Sequence, residues 1–477
     1  MSKNADFSTK TYFINTYGCQ MNVHESEKMS GIMDKKGMKR ADKLENADVV
    51  IYNTCCVRNT AETKVYGHLG RGKKFKEKAK ENGRDFFIVM CGCIPQKPDA
   101  AADLIKKYPF IDLLIGTHNI SFLGEYLDKL FEKGKKNIVE IWDSPKIDGF
   151  VEKSELDFVE KSETETEKFG QIDNNFEDKI SGDAKRESDI SAYVNIMYGC
   201  DNFCSYCIVP YVRGRERSRS ADSILQEINS LIKNGYKQIV LLGQNVNSYK
   251  YENYDLAALL KSIAKIEGKF RVKFLTSHPK DLSKEVVEVV ASSHNFSSSI
   301  HLPVQAGSDR VLKLMNRGYT RAEYLKKIEM IKNTIPDVGL STDIISGFPS
   351  ETEDEFDDTL ALINQIKFDN IFAFIYNRRS GTAADLMEGQ LDKQTKVDRN
   401  EKLKKLQKQI ASEIASECRG KVFEVLCESQ EGTRCMGQAN SGKIVVFFSQ
   451  KNVYGQFVDV IITGAKGGGL IGEIVQK

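Results

Sequence analysis

Three cysteines in one short loop, Cys200, Cys204 and Cys207, constrain this chain more than any other feature. Thiolates this close together are typically gathered by a metal centre, and a closed zinc site would take four protein ligands, usually as two close pairs. A four-iron cluster held by only three cysteines keeps one iron open, where a small molecule with amine and carboxylate groups can bind. The loop therefore predicts a catalytic metal centre, with a zinc loop as the alternative.

The composition predicts a multidomain protein of a reducing compartment. With 477 residues the chain exceeds what one hydrophobic core usually supports, so two to four domains are expected. No apolar run is long enough to cross a bilayer, and the polar N-terminus lacks the apolar core of a signal peptide. We therefore expect a cytoplasmic protein without a membrane partner, whose eleven cysteines favour thiolate ligands over disulfides. The net charge of +2 indicates no particular class of partner.

The N-terminal segment, residues 10–143, has the pattern of a parallel α/β domain. Short apolar runs alternate with charged helical stretches, and three of the runs end in cysteine, at Cys19, Cys55 and Cys93. Because the carboxyl ends of parallel strands lie along one edge of a sheet, cysteines far apart in sequence can meet there. The spacing therefore predicts a second metal site at this edge.

Composition divides the rest of the chain into three further segments. Residues 144–189 are rich in acidic and small polar side chains, which predicts an acidic linker. Residues 190–416 contain six strand-like runs separated by amphipathic helical stretches, the pattern of an open, partial (β/α)6 barrel with its site at the carboxyl ends of the strands. Residues 417–477 contain alternating apolar runs and glycine-rich turns, which predict a small β-barrel.

The spacing of the three-cysteine loop, with Tyr206 just before the third cysteine, resembles the radical S-adenosylmethionine (SAM) superfamily. Two three-cysteine sets, a partial barrel and a terminal β-barrel together resemble its methylthiotransferase family over nearly the whole chain apart from the linker. Five strings are most similar to the MiaB-type tRNA methylthiotransferases: Thr16-Tyr17-Gly18-Cys19-Gln20-Met21-Asn22, Asn53-Thr54-Cys55, Leu242-Gly243-Gln244-Asn245-Val246-Asn247, Thr276-Ser277-His278-Pro279 and His301-Leu302-Pro303-Val304-Gln305. Two features depart from that pattern: Cys56 stands where serine is common, and a loop around Arg378 lacks the usual proline.

The resemblance implies two [4Fe-4S] clusters, a catalytic one held by Cys200, Cys204 and Cys207 and an auxiliary one held by Cys19, Cys55 and Cys93. It also implies that Cys56 and Cys91 pack beside the auxiliary site without binding. No further catalytic side chain is assigned. Glycines and short polar side chains at the ends of barrel strands suit SAM, a nucleoside with a charged amino-acid tail. The expected SAM contacts are Tyr206, Gly243, Gln244, Asn245, Ser277, His278, Gly347 and Glu351.

The implied reaction uses SAM in two ways. One SAM would be cleaved at the catalytic cluster to a radical that removes hydrogen from an unactivated C–H bond, and another would methylate a sulfide carried by the auxiliary cluster. The implied substrate is N6-isopentenyladenosine at position 37 of the tRNA anticodon loop, which becomes the 2-methylthio derivative. A threonylcarbamoyl-type adenosine or a ribosomal protein side chain is the alternative substrate, and an RNA-binding protein with structural zinc is a third interpretation. An external electron donor of the flavodoxin or ferredoxin type and a sulfur donor are the other implied partners.

Two regions are candidates for RNA contact. The run from Arg213 to Arg219 contains four arginines, which would either clamp phosphates or form a salt-bridged barrel rim. The terminal barrel is similar to a TRAM domain, and such barrels often bind RNA by stacking splayed bases. An interdomain lid is the alternative role for that barrel.

Overall fold

The fold comes from a computed structural model, which describes residues 7–57, 59–132, 137–142 and 184–475. The predicted acidic linker, 144–189, lies outside the described residues as far as position 183. Within the described part of the chain, every helix is too short or too polar to cross a membrane.

The described residues form two compact units. The first contains the described residues up to Glu187 together with Tyr211–Gly214. The second contains Ser188–Pro210 and everything from Arg215 onward. The partial barrel and the terminal barrel, which the sequence separates into two domains, thus belong to one unit.

The first unit is built on a parallel sheet, as predicted. Its strands are β1 (Thr11–Thr16), β2 (Lys39–Arg40), β3 (Val49–Thr54), β4 (Phe87–Gly92), β5 (Leu113–Ile115) and β6 (Ile138–Glu140). The helices are α1 (Gln20–Lys35), α2 (Asn59–Glu81), α3 (Ala100–Lys107) and α4 (Leu123–Phe131). The strand order is β2-β1-β3-β4-β5-β6 and all pairs are parallel.

The position of β3 explains why the cysteines meet. All six of its residues are buried, as expected for a central parallel strand covered on both faces. Since β1 and β4 pair with β3 on either side, the residues that follow these three strands share one edge of the sheet. Cys19, Cys55 and Cys93 follow those strands.

The second unit contains the predicted partial barrel. Its main strands are β7 (Ser191–Asn195), β10 (Gln238–Leu242), β13 (Arg271–Phe274), β14 (Ser299–His301), β15 (Gly339–Ser346) and β16 (Asn370–Ile375). Two further pairs of short strands lie outside its main sheets: β8 (Met197–Tyr198) with β9 (Arg217–Ser218), and β11 (Lys250–Tyr251) with β12 (Tyr254–Asp255). The sheets β7-β10-β13 and β14-β15-β16 are parallel, and a parallel bridge between Val272 and Phe296 joins them.

Helices fill the connections between these strands. They are α6 (Ala221–Lys233), α7 (Leu256–Ala264), α8 (Lys284–Ser292), α9 (Asp309–Leu314), α10 (Arg321–Thr334), α11 (Glu353–Ile366) and α12 (Lys393–Glu417), preceded by the short helix α5 (Val209–Arg213), whose residues from Tyr211 onward belong to the first unit. Hydroxyl or carboxylate caps begin many of them, and Thr320 and Thr352 each form a complete capping box.

The terminal segment is a closed five-stranded barrel, which confirms the prediction. Its strands are β17 (Val422–Glu431), β18 (Arg434–Ala439), β19 (Ile444–Phe448), β20 (Phe457–Lys466) and β21 (Gly469–Ile474), in the order β17-β18-β19-β21-β20. Strands β18 and β21 show little apolar alternation in the sequence, because glycines interrupt both of them.

The terminal barrel packs on the amino-terminal ends of the partial barrel's strands. Arg271, the first residue of β13, donates to the carbonyl of Gln438 at 2.8 Å. A Cβ added to Gly339, the first residue of β15, would lie 1.9 Å from the carbonyl oxygen of Ser441. The terminal barrel therefore covers the end opposite to the mouth where the carboxyl ends of the strands lie.

Candidate metal and cofactor sites

The auxiliary three-cysteine set lies at the ends of β1, β3 and β4. Cys19 is the residue before α1, Cys55 directly follows β3 and Cys93 directly follows β4. Burial first, and then Cys93 and Cys19, which are close enough to repel its thiolate, together raise the pKa of Cys55 to about 12. Metal binding at this set would therefore release protons.

Polar side chains tie the three strand ends together. Asn22 Nδ2 donates to Asn53 Oδ1 at 3.1 Å and to the Thr54 carbonyl at 3.0 Å. The Cys19 thiol donates to Asn22 Oδ1 at 3.5 Å, and the Cys93 amide donates to the Thr54 carbonyl at 3.0 Å. These contacts explain why Asn22, Asn53 and Thr54 occur beside the cysteines in the sequence strings that carry the family resemblance.

Gly18 allows Cys55 to approach Cys19. Its φ is +120°, and an added Cβ would lie 2.4 Å from the Cβ and 2.9 Å from the Sγ of Cys55. A larger residue would be strained and would displace the thiol. Because this contact involves Cys55, it favours Cys55 over Cys56 as the ligand.

The two neighbouring thiols differ in their surroundings. The Cys91 thiol contacts Met29 Sδ at 3.7 Å inside the hydrophobic core of the first unit. The Cys56 thiol instead hydrogen-bonds Cys93. That hydrogen bond, and then the Arg213 guanidinium, lower the pKa of Cys93 against the effect of burial. Cys56 thus supports the Cys93 thiolate from beside the site.

The arginine run after the catalytic loop is divided between different roles. Arg213 forms a bidentate ion pair with Glu25, with 3.2 Å between Nη2 and Oε2. Arg219 pairs with Glu227 at 2.7 Å. Both arginines are buried, so the phosphate-clamp interpretation is wrong for them. Arg215, whose side chain is 72% exposed, lies at the surface with Asp201 as its partner at 3.4 Å.

The catalytic three-cysteine set is held in one loop after β8. The Ser205 amide donates to the Met315 carbonyl at 3.0 Å, and Asn316 Nδ2 donates to the Phe203 carbonyl at 3.0 Å. Burial raises the pKa of Cys200 to about 11 and that of Cys207 to about 12. These thiols are therefore protonated until a metal group replaces the protons.

Arg317 is a contact of this loop that the sequence analysis missed. The side chain is buried, and its Nη1 lies 3.4 Å from Cys204 Sγ. Its Nη2 donates to the Pro303 carbonyl at 2.7 Å, which ties the cysteine loop to the segment after β14. A lone arginine after a short helix carries no pattern that would have indicated this role.

The predicted SAM contacts at the ends of β10 and β13 are linked to one another. Gln244 Oε1 accepts from the Gly199 amide, and Asn245 Oδ1 accepts from the His278 amide at 3.1 Å. The Ser277 hydroxyl lies 3.5 Å from Asn247 Oδ1. Gly243 leaves room for Met197, since an added Cβ would lie 2.5 Å from Met197 Cγ and would displace that side chain.

Three buried polar atoms after neighbouring strands have no protein partner. They are Asn247 Nδ2, His278 Nε2 and Gln305 Oε1, each without a hydrogen bond within the part of the chain that the structure describes. Burial, and then the charge of Arg317, lower the pKa of His278 to about 2, so the ring is neutral. Its Nδ1 accepts from the Lys280 amide at 3.2 Å, which leaves the proton on Nε2. Unpaired buried polar atoms are rare, and these suit a polar ligand such as SAM.

Asn247 and Gln305 were not among the predicted SAM contacts. Both stand in strings that carry the family resemblance, Leu242 to Asn247 and His301 to Gln305, so the signal was present in the sequence. Gln305 also has a φ of +74°, a left-handed conformation that is uncommon for a residue with a side chain.

Two predicted SAM contacts, Glu351 and Tyr206, are engaged within the protein. Glu351 Oε2 accepts from the Gly347 amide and from Arg399, each at 2.8 Å. The Tyr206 hydroxyl lies 3.5 Å from Arg317 Nη1. These contacts hold the loops of the site, and direct contact with SAM stays a prediction.

The donor chemistry of both sets fits iron–sulfur clusters. Each set presents three thiols with a buried guanidinium nearby, Arg213 in the first unit and Arg317 in the second. Across the described ranges, no three His, Cys, Asp or Glu side chains are arranged to hold a single metal ion.

Comparisons with known proteins agree with this architecture. Residues 194–363 match the radical SAM superfamily, and residues 11–116 match the uncharacterized protein family UPF0004. The radical SAM methyltransferase TsrM of Kitasatospora setae has the same fold, with a TM-score of 0.54 and 12% identity over 89% of this chain and 79% of that one.

Curated relatives match at much higher identity. The tRNA-2-methylthio-N(6)-dimethylallyladenosine synthase of Clostridium perfringens is 42% identical over 100% of both chains. The enzyme of that name from Carboxydothermus hydrogenoformans is 43% identical over 96% of this chain and 97% of its own. The chain therefore belongs to the tRNA-2-methylthio-N(6)-dimethylallyladenosine synthase family of radical SAM proteins.

Proposed function

We propose that this chain is a radical SAM methylthiotransferase that converts N6-isopentenyladenosine to 2-methylthio-N6-isopentenyladenosine at position 37 of tRNA. The observation that carries the proposal is the full-length match to relatives named for this product, in which the isopentenyl group is called dimethylallyl. That name favours this substrate over a threonylcarbamoyl-type adenosine or a ribosomal protein side chain.

The two three-cysteine sets suit two different tasks. When bound, [4Fe-4S] clusters supply an electron for SAM cleavage at one site and a place for sulfur at the other. The catalytic ligands would be Cys200, Cys204 and Cys207, and the auxiliary ligands Cys19, Cys55 and Cys93. Arg317 would hold the catalytic loop in place through its contacts with Cys204 and Pro303.

The unpartnered atoms near the mouth would bind SAM. His278 Nε2 and Asn247 Nδ2 are donors that suit carboxylate or hydroxyl oxygens, and Gln305 Oε1 is an acceptor that suits the amino group. A neutral His278 donates one hydrogen bond throughout the working pH range. These residues act together with Gly243, Gln244 and Asn245, whose loop contacts Gly199 beside the cysteine loop.

The terminal barrel carries an exposed surface that suits RNA. On the outer face of β18 and β19, Arg434 pairs with Phe448 and Met436 pairs with Val446, and Phe448 is 59% exposed. An aromatic ring beside an arginine is a platform for a splayed base. Phe448→Ala should weaken tRNA binding by about 1–3 kcal/mol in a filter-binding assay. Val422→Ala is the control, because Val422 is 51% exposed but pairs with Ile461 of β20.

The remaining assignments follow from the reaction. SAM cleavage consumes an electron, which favours an external donor of the flavodoxin or ferredoxin type, and the product gains a sulfur atom, which requires a sulfur donor. Both requirements, and reduced thiols, fit the cytoplasm.

Nucleoside mass spectrometry tests the proposed function. A strain that lacks this gene should lose 2-methylthio-N6-isopentenyladenosine and accumulate N6-isopentenyladenosine in its tRNA. The wild-type gene should restore the product, and a gene encoding Cys204→Ala should not. Unchanged levels of this nucleoside, with loss of a methylthio group from another adenosine or from a ribosomal protein, would overturn the substrate assignment.

A further inference from the structure

Arg213 places a buried positive charge beside the auxiliary three-cysteine set. The segment Tyr211–Gly214 belongs to the first unit, although it follows the catalytic loop in sequence. Its guanidinium forms the bidentate pair with Glu25 of α1, and the two side chains are only 6% and 7% exposed. The same guanidinium hydrogen-bonds Cys93, and Cys93 and Cys19 are among its main charge interactions.

The shape of the guanidinium allows this double contact. Arginine has five N–H donors in a rigid plane, so it can bind both oxygens of Glu25 and still direct a donor to sulfur. Lysine has a single point of charge and cannot reproduce that geometry. Glu25 therefore fixes the direction in which Arg213 faces the thiols.

The charge of Arg213 has a consequence for any cluster held there. Each one-electron reduction makes the cluster more negative, and buried surroundings screen that charge poorly. A nearby positive charge and an N–H donor to a ligand sulfur stabilise the reduced form, which raises the reduction potential. Glu25 acts in the opposite direction because its carboxylate is negative.

We propose that Arg213, held by Glu25, is a positioning residue that stabilises the reduced state of the auxiliary cluster through the Cys93 sulfur. The inference rests on the proposed function, since it requires a cluster at Cys19, Cys55 and Cys93. It gives Arg213 a role at the cluster in place of the RNA contact that the sequence suggested.

The test is an EPR-monitored redox titration of the full-length chain carrying Cys200→Ala, Cys204→Ala and Cys207→Ala, so that only the auxiliary cluster contributes. Arg213→Met, Arg213→Lys and Glu25→Gln are compared in this background. Arg219→Met is the matched control, because Arg219 and Glu227 form an equally buried ion pair at 2.7 Å, 4% and 6% exposed, in the second unit.

Arg213→Met should lower the midpoint potential and Glu25→Gln should raise it. Arg213→Lys, which keeps the charge but not the guanidinium geometry, should lower it by less than Arg213→Met does. Arg219→Met should leave it unchanged. Arg213→Met and Glu25→Gln break the same ion pair. If the pair had only a structural role, both variants would therefore shift the midpoint potential in the same direction, so opposite shifts decide between the two roles. If Arg213→Met does not fold, the potentials of Glu25→Gln and Arg213→Lys, each compared with the parent, still test the inference.

Shifts of the same sign, or none, in variants that keep their iron and circular dichroism spectrum would overturn this inference and leave the proposed function intact. Absence of iron from the folded parent background would overturn both. Iron in that background with the opposite shifts described above supports both.

Discussion

The two three-cysteine sets are built in contrasting ways. The auxiliary set is drawn from the ends of three parallel strands, between Cys19 and Cys93, and depends on side-chain contacts such as those of Asn22. The catalytic set lies within residues 200–207 and is held by contacts from the Met315 carbonyl and the neighbouring Asn316 side chain. The first therefore requires a folded sheet, whereas the second requires one loop and its support.

The charges beside the two sets differ as well. Arg213 is paired with Glu25, so the auxiliary set faces an ion pair. Arg317 has Cys204, Tyr206 and Tyr319 as its main charge interactions and, among the residues that the structure describes, forms no ion pair with a carboxylate. The catalytic set therefore faces a full positive charge. The auxiliary set, which is built from three strand ends, should be sensitive to changes in packing between the strands. The catalytic set, which lies in one loop, should be sensitive to changes in the residues that contact this loop.

The largest expected effect separates Cys55 from Cys56. Cys55→Ala should abolish methylthiolation and remove the auxiliary iron, because the Cys55 thiol lies against Gly18 and near Cys19 and Cys93. Cys56→Ala should keep most of both, since Cys56 only hydrogen-bonds Cys93. Iron analysis and nucleoside mass spectrometry of complemented cells measure this. The reverse pattern would move the ligand by one residue.

Removal of the terminal barrel should affect the two sites unequally. Deletion of residues 420–477 uncovers buried Arg271 and half-buried Lys273, which donate to Gln438. We expect a fall of at least about 4 °C in the Tm of the second unit, as for a loss of about 2 kcal/mol in a domain of roughly 150–250 residues. The auxiliary iron should remain. Calorimetry and iron analysis give the result, and an unchanged Tm would show that the barrel is not a structural support.

Gly18→Ala should disturb the auxiliary three-cysteine set and leave the catalytic set unaffected. The substitution adds a Cβ at a φ of +120° against Cys55, with a strain of about 1–3 kcal/mol, and should lower the auxiliary iron content. SAM cleavage without tRNA should be unaffected. Gly70→Ala is the control: Gly70 lies within α2 with no atom within 4 Å of an added Cβ, so the change should stabilise by about 0.5–1 kcal/mol. Equal iron contents in the two variants would contradict the packing argument.

The smallest effect concerns His278 and pH. Its pKa is about 2 in the folded protein, well below the ordinary value of 6.5, because of burial. As the pH falls, His278 is protonated in the unfolded chain but stays neutral in the folded protein. The free energy of unfolding therefore decreases as the pH drops below about 6.5. At pH 5.5 the free energy of unfolding should be lower than at neutral pH by about 1.4 kcal/mol, and His278→Gln should abolish this difference. Urea unfolding at pH 5.5 and 7.5 measures the difference, and an identical pH dependence in both proteins would contradict the burial of a neutral ring.

The fold, and the close approach of the cysteines within each three-cysteine set, could be predicted from the sequence because local patterns encode them. Their role as cluster ligands stays a prediction. A continuous apolar run marks β3, the strand that is buried on both faces, and the cysteines follow strands or lie in one loop. Tertiary neighbours leave no such pattern. Arg213 stands in an arginine run that resembles a surface patch, yet Glu25, far away in sequence, buries it. The packing of Arg271 against the terminal barrel was hidden for the same reason.

The most direct measurement of two independent sites is iron and labile sulfide analysis of two triple variants, combined with 5′-deoxyadenosine formation from SAM without tRNA. The first carries alanine at Cys200, Cys204 and Cys207, and the second at Cys19, Cys55 and Cys93. The account predicts that each folded variant keeps about half of the wild-type iron, as for one of two four-iron clusters, and that only the second forms 5′-deoxyadenosine. Complete loss of iron from either folded variant would contradict it, because the six cysteines would then share one site.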